Sequence, residues 1–163
     1  MDQGWYEAQE IARENGPKLA NFVADWLAVD GRPIRMVAHS LGAQVVCAAM
    51  NVLHDWGYED AVSDLVLLGG ATDNEACAVD GEFGPGLGDA AESVVNGYKT
   101  DDAVLEWTYS IGEFNRAVGE TGIEGTPPDN VTEVDVTEVV PDHYSYPELK
   151  ADAGCMDVVV GNW

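Results

Sequence analysis

Ile34-Arg35-Met36-Val37-Ala38-His39-Ser40-Leu41-Gly42-Ala43-Gln44-Val45-Val46 changes character at a single serine. Before Ser40 the chain is a short apolar run, and after it come small apolar residues with helical character. The reading is strand, sharp turn, helix. A serine in such a turn stands at the tip of the strand on a strained backbone. The residues two before and two after it approach each other, so both must be small; here they are Ala38 and Gly42. The alternative is an ordinary strand-to-helix turn with a capping serine.

Around this turn lies a chain of 163 residues, 46% of them hydrophobic. That is one domain, residues 1–163, with enough apolar content for a core. Its charge is strongly one-sided: 30 acidic residues against 7 basic give a formal net charge of -23. Such a charge strains the compact state by self-repulsion, and the strain fades as the Debye length shrinks to ~3 Å near 1 M salt. The composition resembles proteins of halophilic organisms with a salt-loaded cytoplasm; the competing reading is an acidic surface that binds a partner. Equal thermal stability in dilute buffer and in multimolar KCl would overturn the first. Nucleic acid and anionic membranes are poor partners for either, because phosphate binding requires clustered Lys and Arg. Cys47, Cys77 and Cys155 are odd in number and widely spaced, which describes neither a disulfide framework nor a C-x-x-C metal site. The amino terminus carries no signal-peptide pattern, and no apolar run reaches the ~18 residues of a membrane span, so the expected location is the cytoplasm.

In chain order, Asp2 to Ala28 reads as helix, with Ile11, Leu19, Phe22, Val23, Trp26 and Leu27 as its apolar face and a break or bend at Asn15-Gly16-Pro17. The helix after Ser40 is expected to run to about Trp56. Val62 to Leu68 reads as a buried strand, Thr72 to Ala91 as a long glycine-rich loop with a lid as its functional form, and Ser93 to Asn96 as a third strand. Asp101 or Asp102 opens a helix carrying Val104, Leu105, Trp107, Tyr109 and Ile111. Val131 to Val136 alternates like a fourth, more exposed strand. Ser145, with Glu148 three residues on and Pro147 in the first turn, matches a capping box that starts a last helix. Strands alternating with helices imply a three-layer α/β/α fold around a mostly parallel sheet of about four strands.

Small-x-Ser-x-small between a strand and a helix resembles the nucleophile elbow of the α/β-hydrolase superfamily, which includes lipases and esterases, with Ala38 in place of the first glycine. The resemblance covers the later half of that fold and implies a triad in the chain order Ser, acid, His. It implies no metal and no organic cofactor. For the base, His54 lies fourteen residues beyond Ser40, roughly 21 Å along a helix, and is out of reach. His39 leaves the strand on the face opposite Ser40. His143 remains, in a loop after the last strand, where the superfamily carries its histidine. For the acid, the resemblance favours Asp102, after the third strand; neighbouring Asp101, and Asp73 past the second strand, stay as alternatives. It also assigns one oxyanion donor to the backbone amide of Leu41.

The second oxyanion donor of the superfamily comes from strands preceding the elbow, and only 33 residues precede Ile34. The elbow strand is therefore expected to have an open edge. Two functions follow. One is a serine hydrolase that cleaves an ester or related acyl bond in a small-molecule substrate. The other is a non-catalytic hydrolase-like domain that self-associates or takes a complementing chain at the exposed sheet edge.

Overall fold

The computed structural model describes residues 3–110 and 116–161. The chain runs α1 (Gln3–Val29), β1 (Arg35–His39), α2 (Gly42–Asp55), β2 (Val62–Leu68), α3 (Gly84–Ala90), β3 (Ala91–Tyr98), α4 (Ala103–Ser110), α5 (Val118–Thr121), β4 (Val131–Asp135) and α6 (Met156–Val159), with short 3-10 turns at Glu75–Cys77 and Lys150–Asp152. The four strands form one sheet in the order β1-β2-β3-β4. Every neighbouring pair is parallel, with Arg35 opposite Asp64, Leu65 opposite Val94 and Val94 opposite Val131. The expected small α/β fold is present. Asp2 and Ile111, read from the sequence as helical, lie outside the described residues.

One face of the sheet is covered by α1, α2 and α3. Helix α2 turns Ala43, Val46, Cys47, Met50 and Leu53 inward, the spacing of a single helical face. Helix α1 meets it through Ala12, Gly16 and Ala20, one small residue per turn. A Cβ at Gly16 would come 2.5 Å from the Ala48 Cβ, so the two backbones approach as closely as glycine permits. The apolar face expected for α1 is thereby corrected: Ile11 and Phe22 are exposed, and Phe22 stacks on Trp26 instead of entering the core. The helix also continues through Pro17. An interior proline costs roughly 3 kcal/mol, and the burial of Ala12 before it and Ala20 and Val23 after it holds both halves against the core.

The stretch from Thr72 to Ala91 is not an open loop or a lid. It folds into the 3-10 turn Glu75–Cys77 and α3, and it buries Cys77, Phe83 and Leu87. Its glycines serve close approach: a Cβ at Gly86 would stand 2.6 Å from the Asn51 backbone nitrogen, and one at Gly84 only 1.8 Å from the Ala78 carbonyl oxygen. Read locally, such residues signal a loop. In place, they let α3 press on α2.

The other face is covered by the segment after β4. Val66 and Leu68 of the sheet pack with Val136, Val140, Tyr146, Cys155 and Val159. No helix begins at Ser145, which corrects that expectation. Its hydroxyl donates back to Asp142 Oδ1 at 3.0 Å, the Tyr144 amide donates to the same oxygen at 2.9 Å, and the following Tyr146 is driven into the core. The helical turn comes later, as α6. Strand β1 pairs only with β2 among the described residues, so it is an edge strand, and Val37 on it is 39% exposed.

Candidate active site

Parallel strands deliver their carboxyl ends to one rim, and loops from β1, β3 and β4 meet there. Strand β1 ends at His39, and Ser40 takes φ 54°, the left-handed region that costs a residue with a Cβ roughly 1–2 kcal/mol. Three hydrogen bonds hold it there. The Ser40 amide donates to the Leu68 carbonyl at 3.0 Å, and its own carbonyl accepts from the amides of Ala43 at 3.0 Å and Ala71 at 2.9 Å. A Cβ at Gly42 would lie 3.8 Å from that of Ala38, so the turn has room for small residues at both positions and little more. The strained serine is thus over-determined by its surroundings.

Strand β3 leads into Asp102, which is 1% exposed and opens α4. Its Oδ1 accepts from the amides of Val104 and Leu105, both at 3.2 Å. Its Oδ2 accepts from His143 Nδ1 at 2.8 Å and from the Tyr146 hydroxyl at 3.0 Å. The sequence left open whether Asp101 or Asp102 opens the helix; Asp102 does so, and the same carboxylate faces the histidine. Asp101 instead pairs with Lys99, and Asp73 accepts from the Glu75 amide at 3.0 Å within its own turn.

His143 arrives from the loop after β4. With Nδ1 donating to Asp102, its Nε2 is the acceptor facing Ser40 Oγ at 2.8 Å. Ser40, His143 and Asp102 therefore form a continuous chain of hydrogen bonds, the histidine 4% exposed. Burial alone would push the Asp102 pKa up. The bond and charge of His143, with the Leu105 amide and Tyr146, outweigh that and hold it below the ordinary carboxylate value.

Two contributors escaped the sequence reading. His39 is on the face opposite Ser40, as expected, but that is the face over which the His143 loop folds. Its Nε2–H donates to the His143 backbone carbonyl at 2.7 Å, and the two rings stand 4.8 Å apart. Burial lowers its pKa below the ordinary imidazole value; the bond to the His143 carbonyl opposes this and the neighbouring imidazole adds to it. Tyr146 is fully buried against both histidines. A signal for His39 exists in strand alternation, since a residue next to Ser40 must face the layer behind it. None exists for Tyr146, whose role is tertiary. His54 pairs with Asp89, away from this rim.

Leu41 precedes the first residue of α2, and its amide has no hydrogen-bond partner among the described residues. It stands at the positive end of the helix, where an anion is stabilised. The turn that carries it follows β1, the edge strand of the sheet among the described residues. No group of three or more His, Cys, Asp or Glu among those residues is arranged to hold a metal ion.

Comparison with known sequences adds relatives. A family model described as "Protein of unknown function (DUF726)" matches residues 1–153. The chain is 24% identical over 93% of its length to "Uncharacterized membrane protein C6F6.13c" of Schizosaccharomyces pombe. It is 31% identical over 90% of its length to "Transmembrane and coiled-coil domain-containing protein STS1" of Oryza sativa subsp. japonica. It spans only 25% and 21% of those proteins' own lengths. No solved structure matches. Among the described residues, no helix is long and apolar enough to cross a membrane.

Proposed function

The chain belongs to the DUF726 family of proteins of unknown function, and we propose that it is a serine hydrolase of the α/β-hydrolase type, cleaving an ester or related acyl bond. The observation that carries this reading is the hydrogen-bonded chain from the strained Ser40 through His143 to the buried Asp102. An ordinary capping serine requires neither the strain nor a buried imidazole against its hydroxyl.

In this reading Ser40 Oγ attacks the acyl carbonyl carbon as His143 Nε2 takes its proton, and Asp102 stabilises the imidazolium. The carbonyl oxygen, now negative, lies against the Leu41 amide and the amino-terminal end of α2. Collapse of the tetrahedral adduct breaks the bond to the leaving group, which takes the proton from His143. Water, activated by the same nitrogen, then releases the acid. The substrate class is small acyl compounds, and the reaction as drawn calls on neither metal nor organic cofactor. Free, buried Cys47, Cys77 and Cys155 support a reducing compartment, for which we take the cytoplasm.

The test is labelling by a fluorophosphonate probe in multimolar KCl, the condition that the net charge of -23 favours. Wild-type protein should label; Ser40→Ala and His143→Ala should not. A folded wild-type chain that fails to label overturns the proposal. One observation favours the second reading, a non-catalytic domain that assembles through its sheet. Strand β1, which leads into the turn carrying Ser40 and Leu41, is an edge strand among the described residues, and an edge of that kind pairs readily with another chain.

A further inference from the structure

We propose that Tyr146 is a positioning residue of this site: its hydroxyl shares Asp102 Oδ2 with His143 Nδ1 and so fixes how that oxygen is presented to the histidine. The inference rests on the hydrolase reading for its consequence in catalysis, and on geometry alone for the shared oxygen.

The carboxylate of Asp102 is bound at both ends for different purposes. Oδ1 takes the two amides that start α4, which ties it to the helix but leaves the group free to swing about that end. Two donors on Oδ2, His143 Nδ1 at 2.8 Å and Tyr146 at 3.0 Å, remove that freedom. The hydroxyl has one proton and two acceptors in view. The Gly119 carbonyl stands at 3.5 Å, the far limit of a hydrogen bond, so the proton goes to Asp102.

The seat of the ring is built for it. Gly69 has φ 50°, and a Cβ there would lie 2.8 Å from Tyr146 Cε2. The Tyr146 carbonyl is held in turn by the Cys155 amide at 3.3 Å and the Cys155 thiol at 3.4 Å. Phenylalanine would fill the same apolar space between His39, His143 and Gly69 without burying a hydroxyl, and a buried hydroxyl costs free energy unless it is bonded. Burial and the Asp102 charge both push the phenol's pKa up, which keeps its proton available for donation.

The experiment compares wild type, Tyr146→Phe and a chain with 3-fluorotyrosine placed at position 146, in multimolar KCl. Proton NMR reads the His143 Nδ1–H resonance, and fluorophosphonate labelling reads Ser40. Removing the competing donor leaves Oδ2 a stronger acceptor for His143, so the resonance should move downfield in Tyr146→Phe. Fluorotyrosine is a stronger donor of nearly the same shape and should move it upfield. Labelling should slow about tenfold to a hundredfold in Tyr146→Phe, the size expected for losing one hydrogen bond to a charged group. A resonance unmoved in either folded variant overturns the inference, and the fluorinated chain keeps the test open where the phenylalanine variant does not fold. Opposite shifts in a wild-type background that never labels would instead overturn the hydrolase reading and leave the role of Tyr146 in place.

Discussion

Ser40 has two flanks, and they are finished to different degrees. Toward β3 and β4, the side chains around Ser40 are partnered: His143 uses both ring nitrogens, Asp102 accepts four hydrogen bonds, and His39 braces the His143 carbonyl. Toward the open edge of β1, the Leu41 amide stands by itself among the described residues. The difference follows from burial. A charged carboxylate that is 1% exposed must have its partners supplied by the protein. An amide in a partly exposed turn, as at Leu41, can be satisfied by water until a substrate or another strand arrives. In the proposed hydrolase the proton-handling groups would thus all come from this chain, while the anion-stabilising donor assigned to it is the Leu41 amide at a helix end.

The sharpest break to that comparison comes on the finished flank. Asp102→Asn keeps an oxygen at Oδ1 for the Val104 and Leu105 amides, so the start of α4 and the fold should survive. It removes the acceptor that sets the His143 tautomer, so the labelling rate should fall by about 10³–10⁴. Circular dichroism and a melt alongside the labelling assay separate this from unfolding. A variant that labels at the wild-type rate would show that the hydrogen-bond chain does not serve the serine.

The unfinished flank makes a prediction about association. A parallel edge strand with an exposed Val37 should pair with another copy at high concentration, and Val37→Lys should prevent it, since an edge lysine opposes strand pairing. Light scattering across concentration, in high salt so that the negative charge does not itself keep chains apart, reads the outcome. A wild-type chain that stays monomeric contradicts the open-edge argument. Should association also raise the labelling rate, by up to the ~10²–10³ that one oxyanion donor is worth, the second chain completes the flank.

What was legible in the sequence divides along a similar line. The elbow could be read because its demands are local: Ala38, Ser40 and Gly42 constrain one another within five residues. Strand β2 matched its expected span, Val62 to Leu68, because a fully buried strand is written as a continuous apolar run. Asp102, with Asp101 and Asp73 as alternatives, and His143 were named by the resemblance to the superfamily once the elbow was read. The structure brings Asp102 and His143 together with Ser40. Helix α3 was not legible, because Gly84 and Gly86 are there for contact with Ala78 and Asn51, neighbours that local reading does not see. The helix expected from Ser145 failed for the opposite reason: its capping pattern is present, but Asp142 takes the serine hydroxyl and the core takes Tyr146.

A smaller effect concerns the brace behind His143. The His39 pKa is lowered in the fold, so the unfolded chain binds its proton first as pH falls. The sign follows from linkage: this histidine leaves stability undiminished above the ordinary value near 6.5, takes stability away as pH drops through it, and stops doing so below its folded pKa. Denaturant unfolding at pH 8 and pH 6 in the same high salt should show the loss, and His39→Gln, which keeps a donor for the His143 carbonyl, should flatten the slope. An identical slope in both proteins would remove His39 from the account.

The smallest effect tests the strain itself. At φ 54° a Cβ is unfavourable and glycine is not, so Ser40→Gly should be more stable than Ser40→Ala by about 1 kcal/mol, although both lose the Ser40 hydroxyl. In a chain of this size that is a difference of roughly 2–4 °C in the melting midpoint. A glycine variant no more stable than the alanine one would mean that the turn relaxes freely. Ser40 would then owe its position to the bonds from Leu68, Ala43 and Ala71 alone, with no strain kept at the serine. The predicted order instead identifies a backbone held in an unfavourable conformation at Ser40 itself, where the bonds from Leu68, Ala43 and Ala71 are numerous enough to hold it.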